Sequence, residues 1–178
     1  MIGEVNNIKF VNYGICKTAS TSIYDALLPY LSGKSKHTPR YTIEMDLTNY
    51  FKFAIVRNPW DRMLSQYKWG KEISTVYKGK TFEHFIQDIY EEKDEIMRYI
   101  SQVKWMMDED KHIEVDYIGR FETLEESWSV VQDKLGIDIP IGHRYQTSVQ
   151  DYREKYTDEM RDMIAEAHAA DIEKFNYK

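Results

Sequence analysis

One lysine and four hydroxyl side chains crowd into six consecutive positions of this chain: Lys17, Thr18, Ser20, Thr21 and Ser22. An apolar, β-rich run (Ile8, Phe10, Val11, Tyr13) leads to them through Gly14, and a helix-compatible run (Ile23, Ala26, Leu27, Tyr30, Leu31) follows. Strand, small-residue loop with lysine, helix N-terminus is an order that builds an anion site. Amides at the start of a helix point outward, and the helix dipole adds positive potential there. Lysine contributes a full charge, and the hydroxyls donate further hydrogen bonds.

A second corner offers matching chemistry. Phe51 to Val56 is a β-type run too apolar for a surface, and it ends at Arg57-Asn58-Pro59. Asn58 suits an N-cap and Pro59 the first helical position, so a helix is predicted from about Pro59 to Trp69. Arg57 at the strand end and Ser65 two turns along that helix supply a charged fork and a hydroxyl, the donors a phosphate monoester needs. A third strand, Val115 to Gly119, runs straight into Arg120.

The first corner differs from the GxxxxGK[ST] loop of nucleoside triphosphatases. Only two residues separate Gly14 from Lys17, and the second glycine is missing. Those enzymes also place a Mg²⁺-binding acid at the end of a neighbouring strand, where this chain has Arg57 and Arg120. Arginine at both places suits an anion whose charge no metal shares, so no metal is expected.

These corners need elements to hold them. Ser32 to Pro39 reads as a polar loop, and Tyr41 to Tyr50 is compatible with a short strand or a short helix. Phe82, Phe85, Ile86 and Ile89 have the spacing of a helix burying one face, and Ile96, Tyr99, Ile100, Val103 and Met107 repeat it. Leu124, Trp128, Val131 and Leu135 mark another helix, stopped by Gly136. A polar loop spans Ile137 to Ser148, and a last helix is predicted from about Thr157 to Phe175. Strands alternating with helices predict an α/β fold with a central, mostly parallel β-sheet flanked by helices. Such sheets bind ligands beyond the carboxyl ends of their strands, where Gly14, Arg57 and Arg120 are all expected.

The chain has 178 residues, 42% hydrophobic and 30% charged, which fits one globular domain over 1–178. No apolar run approaches the roughly 18 residues of a membrane span, and no signal-peptide pattern is present. Cys16 is the only cysteine, so no intrachain disulfide forms. These features together predict a cytoplasmic protein. The net charge of −6 is unevenly spread. Residues 1–80 carry 12 Lys/Arg against 6 Asp/Glu, whereas residues 81–178 carry 12 against 24. The basic half steers an anionic ligand toward the two corners, while the acidic total argues against a general nucleic-acid binder.

The ordered set of motifs resembles the sulfotransferase superfamily, in particular its carbohydrate-sulfotransferase-like branch. Members carry a K-T-x-x-T-S loop, here Lys17-Thr18-Ala19-Ser20-Thr21-Ser22, and R-[ND]-P-x-x-R-x-x-S, here Arg57 to Ser65. The likeness continues through Tyr117-Ile118-Gly119-Arg120-Phe121-Glu122 and the closing Asp171 to Tyr177. It implies a three-layer, P-loop-like domain that moves a sulfuryl group from 3′-phosphoadenosine 5′-phosphosulfate (PAPS) to a hydroxyl or amine. The acceptor would be a carbohydrate or another small molecule, and 3′-phosphoadenosine 5′-phosphate (PAP) would be released. On that resemblance Lys17 stabilises the leaving phosphate, and Thr18, Ser20, Thr21 and Ser22 hold the phosphosulfate. Arg57 and Ser65 read the 3′-phosphate, and Thr147 and Ser148 fold back over the nucleotide. A base is needed within reach of the acceptor hydroxyl. His37, between the two corners, is the favoured residue, with Glu44 and Glu122 as the other candidates. Two further readings are open on the residues: an atypical P-loop kinase using ATP and Mg²⁺, and a nucleotide-binding module without catalysis.

Overall fold

A computed structural model describes residues 1–33, 35–73, 77–92, 96–142 and 151–178. By internal contacts the chain divides into two compact units. The first is Met1–Arg57 with Lys104–Tyr145, and the second is Asn58–Val103 with Gln146–Lys178.

The first unit holds the sheet. Strands β1 (Ile2–Val5), β2 (Ile8–Asn12), β3 (Phe51–Val56) and β4 (Tyr117–Arg120) lie side by side in chain order. The parallel pairing of β2, β3 and β4 agrees with the sequence reading. The edge strand β1 was not foreseen and runs antiparallel to β2. The turn between them is Asn6-Asn7, both with left-handed backbone at φ 50° and 61°. Asparagine tolerates that conformation, which gives a two-residue hairpin turn the twist its strands need.

Helices α1 (Ser20–Leu27) and α5 (Leu124–Leu135) share one apolar cluster with the sheet. Phe10, Phe53 and Ile55 from the strands meet Ile23 and Leu27 of α1 and Trp128, Val131 and Leu135 of α5. Alternate residues Val11, Ala54 and Val56 are buried as well, and burial on both faces is why β3 reads as a continuous apolar run. Gly136 closes α5 in the left-handed conformation, as its position after the last apolar residue predicts.

The second unit is helical in its described residues. Helices α2 (Pro59–Ile73), α3 (Phe82–Glu92) and α6 (Asp158–Ala167) surround Met63, Leu64, Phe85, Ile86, Ile89, Met160 and Ile164, and α7 (Ala169–Phe175) follows α6. Asn58 caps α2 as expected, its Oδ1 accepting from the amides of Trp60 at 3.1 Å and Asp61 at 3.4 Å. Thr157 caps α6, its hydroxyl accepting from Met160 N at 3.2 Å.

Two helix expectations are corrected. The apolar spacing from Ile96 to Met107 forms only a short helix, α4 (Gln102–Trp105). The closing helix breaks at His168 into α6 and α7. Buried polar groups account for the first. The Asp171 carboxylate, fully buried in α7, accepts from the amides of Gln102 at 2.8 Å and Val103 at 2.9 Å and from Gln102 Nε2 at 3.2 Å. Those amides therefore serve as a helix start capped by a residue 69 positions away. Arg62 of α2, also fully buried, donates from Nη2 to Ile100 O at 2.8 Å and so takes a carbonyl that a continuous helix would use. Burial pushes the Asp171 carboxyl above its usual range, opposed by the Arg62 charge and by the amides.

Gly14, directly after β2, sits at φ +61°, and a Cβ there would fall inside the van der Waals shell of the Lys36 carbonyl oxygen. That close approach bolts the polar loop onto the strand end. Thr38 N donates to Tyr13 O at 3.1 Å, and His37 Nδ1 lies 2.6 Å from Gly14 O.

Four outcomes follow for stability, all measurable by chemical denaturation. Gly14→Ala is expected to lose about 2 kcal/mol or more, from the left-handed backbone and the collision together. Gly33→Ala, where a Cβ meets nothing within 4 Å, is expected to stay within about 1 kcal/mol of wild type. Asp171→Ala strands buried amides and an arginine, and should cost about 3–5 kcal/mol. Arg161→Ala, which removes only an exposed pair with Asp158, should cost under about 1 kcal/mol.

Candidate functional site

The parallel register sets Asn12 against Phe53 and Val56 against Arg120, so the carboxyl ends of β2, β3 and β4 lie along one edge. Gly14, Arg57 and Arg120 all stand at that edge, as the sequence implied. A groove of about 850 Å³ opens at the opposite edge, lined in part by Lys9, Tyr50, Lys52, Asp116 and Lys134, and none of the candidate site residues lines it.

The loop between β2 and α1 has an unusual backbone. Lys17 and Ala19 are left-handed, at φ 68° and 64°, and Thr18 between them is not. Alternation of this kind turns successive amides toward one point and makes an anion-binding concavity. Each left-handed residue with a side chain costs about 1 kcal/mol, so the loop needs outside support, and two bonds provide it. Thr18, with 1% exposure, donates its hydroxyl to Ile15 O at 2.9 Å. Arg57 donates from Nη1 to Lys17 O at 3.0 Å, turning that carbonyl away from the concavity.

Helix α1 starts directly from this loop. Its N-cap, Ala19, makes no side-chain cap, and the first turn carries no acidic residue. The first intrahelical bond is Ile23 N to Ala19 O at 3.0 Å. The amides of Ser20, Thr21 and Ser22 therefore precede the helical ladder, at the positive end of the dipole, in the turn that follows Lys17. An anion is the partner such donors fit.

The hydroxyls of this loop are not equivalent. Thr18 spends its proton on Ile15 O, which leaves its backbone amide for a ligand. Ser20 and Ser22 are buried at the start of α1. Thr21 accepts a hydrogen bond from Lys36 Nζ at 3.3 Å. Lys36 was passed over in the sequence reading, although it directly precedes His37. Its ammonium also lies 5.4 Å from the centre of the Tyr24 ring, over the first turns of α1.

Arg57 is 4% exposed and clamped on two sides. Besides its bond to Lys17 O, its guanidinium stacks 3.9 Å from the centre of the Phe121 ring, just after β4. Phe121 is the second residue that sequence reasoning left without a role; the aromatic directly after a strand-end arginine was the available signal. The neighbouring Arg120 is exposed, and its backbone N and O are both bonded to Ser127 Oγ, at 2.8 and 3.0 Å.

His37 is half-buried, its ring edge-on to Trp105 with centroids 6.2 Å apart. Gly14 O can only accept, so the 2.6 Å contact places a proton on Nδ1; in the neutral form of the ring Nε2 is then the acceptor. Cys16 Sγ lies 3.7 Å from the same Nδ1. Glu44 and Glu122 are exposed.

Lys17, Thr18, Ser20, Thr21, Ser22, His37 and Arg57 thus all fall in the first unit, on the loops at one sheet edge. Ser65 belongs to the second unit, where it is buried on α2 with 6% exposure. Thr147 and Ser148 lie outside the described residues. Among the described residues no group of His, Cys, Asp and Glu side chains has the arrangement of a metal site, and no helix is long and apolar enough to cross a membrane.

Comparison with known proteins places the chain in a family. An uncharacterized protein of Archaeoglobus fulgidus is 27% identical over 104 residues, 57% of this chain and 81% of the relative. No solved structure matches the chain. The family model described as "Sulfotransferase family" matches residues 6–178, which contain both the loop at Lys17 and the Arg57 corner, so the chain belongs to the sulfotransferase family, enzymes that transfer a sulfuryl group.

Proposed function

We propose that the sulfuryl donor is PAPS and that the acceptor is a hydroxyl, or an amine, of a carbohydrate or similar small molecule. We also take residues 1–178 to work as a single sulfotransferase domain. The observation that carries this reading is the Lys17–Ala19 turn opening onto the uncapped start of α1. It offers a concave set of amides plus an ammonium, held open by Arg57, and a phosphosulfate is an anion of that shape and charge.

The donor supplies a sulfuryl group on a phosphate leaving group; the chain supplies positioning and charge. The amides of Thr18, Ser20, Thr21 and Ser22 hold the phosphosulfate oxygens in line with the acceptor. Lys17 neutralises the charge that grows on the bridging oxygen as the S–O bond to the 5′-phosphate breaks. His37 Nε2 takes the proton of the acceptor hydroxyl as its oxygen bonds to sulfur. The electron pair of the broken bond leaves with PAP, so the proton on His37 and the charge on PAP balance. The motif assigns the 3′-phosphate to Arg57 and Ser65 and a covering role to Thr147 and Ser148. Arg57 would then serve twice, as loop support and as phosphate donor, which its five N–H groups allow.

Calorimetry with PAP, and with ATP in the presence and absence of Mg²⁺, tests the donor. PAP should bind without metal and more tightly than ATP; binding confined to ATP with Mg²⁺ would overturn the assignment in favour of a kinase. A bound PAP with no turnover on any hydroxyl-bearing acceptor would favour a non-catalytic module. His37→Ala should lower kcat by about 10²- to 10⁴-fold, with PAP affinity changed less than about threefold. A variant that keeps full turnover removes His37 from the mechanism.

A further inference from the structure

We infer that Lys36 is a second cation of the donor site and binds the non-bridging oxygens of the 5′-phosphosulfate opposite Lys17. This deepens the donor reading proposed above and rests on it.

The argument starts from where the lysine is anchored. Its carbonyl oxygen packs against Gly14 so closely that no Cβ fits between them. The next two residues are tied to the end of β2, through His37 Nδ1 at Gly14 O (2.6 Å) and Thr38 N at Tyr13 O (3.1 Å). The Lys36 backbone is thus fixed on the flank of the loop, and only its four-carbon side chain is free to swing.

The head of that side chain lies at the mouth of the concavity. Nζ is 3.3 Å from Thr21 Oγ1, and Thr21 is the second residue of α1, whose amide is among those that precede the helical ladder. An anion accepting from those amides sits about 3 Å from their nitrogens, within reach of an ammonium already bonded to the same residue. The Tyr24 ring, 5.4 Å from Nζ at its centre, offers its negative face to the cation over α1. No carboxylate stands in the first turn of α1 to claim it. Hydroxyl and ring together are weak partners for a full charge, so a doubly charged oxyanion at this point outcompetes them.

The consequence is a division of labour. Lys17 lies on the loop and meets the bridging oxygen, whereas Lys36 comes from the segment that also carries His37. Donor binding through Lys36 would hold the base segment and the donor loop against the same ligand. Lys36 reads the 5′-end only, so its removal should weaken every 5′-phosphorylated adenosine alike, and leave the preference for a 3′-phosphate unchanged.

Titration calorimetry of wild type, Lys36→Met and Lys36→Arg with PAP and with 5′-AMP tests this. Lys36→Met should raise both dissociation constants about tenfold or more while keeping their ratio within about twofold, with a melting temperature close to wild type. Lys36→Arg, which restores the charge, should recover most of the affinity. Unchanged PAP affinity in Lys36→Met overturns the inference while leaving the PAPS reading intact. Loss in both variants assigns the lysine to the fold and overturns it too. A wild-type chain that binds no PAP removes the donor reading first, and this inference with it.

Discussion

The hydrogen bond from Arg57 to the Lys17 carbonyl joins the end of β3 to the loop after β2. A concavity of amides is an unfavourable thing to build, because its donors must converge with no protein acceptor between them. Two left-handed residues with side chains add to that cost. The loop persists because each end is held from outside: by Thr18 on Ile15, by Arg57 on Lys17, and by the buried first turns of α1 against the sheet. Arg57 is itself fixed on Phe121, so the end of β4 contributes to the Lys17 loop through a ring and a guanidinium. The parallel pairing of β2, β3 and β4 is what brings these three corners to one edge.

A second consequence of the same edge is the placement of His37. Its ring nitrogen is hydrogen-bonded to a glycine carbonyl whose residue tolerates both a positive φ and the close passage of Lys36. The backbone thereby selects the tautomer as well as the position, a role often played by a carboxylate in other enzymes. Gly14 is thus more than the end of a strand. It is the point at which the Lys17 loop and the segment carrying Lys36 and His37 share a backbone contact.

The second unit is ordered by a different device. Asp171 is buried and satisfied mainly by backbone amides, while Arg62 lies buried with Ile100 O as its partner. The motif that contains Arg57 therefore has two arginines with different work. Arg57 supports the donor loop, and Arg62 organises the interior of a helical unit. A polar cluster of this kind does little for net stability compared with an apolar core, but it is costly to break, and it specifies where two helices begin and end.

Much of the site was legible from local pattern. Phe51 to Val56 is apolar on both faces and ends at Arg57-Asn58-Pro59, so its strand, its cap and its following helix could all be read in order. Leu124 to Leu135 with Gly136 was equally plain, since apolar spacing and a left-handed stop act within a few residues. The Lys17 loop was legible as an anion site because lysine, hydroxyls and a helix start are contiguous. Other features depended on distant partners. The spacing from Ile96 to Met107 promised a helix, but Asp171 and Arg62 claimed its backbone groups from elsewhere in the chain. Sequence left open whether Thr18 would act by side chain or backbone, and the fold bonds its hydroxyl to Ile15 O; Lys36 looked like loop polarity until the fold set it on Thr21. The amino-acid sequence alone determined which groups are available and which short-range elements carry them, because propensity, capping and periodicity act over a few residues. Tertiary structure alone decided which hydroxyls and cations face the concavity, because that choice rests on hydrogen bonds between residues far apart in the chain.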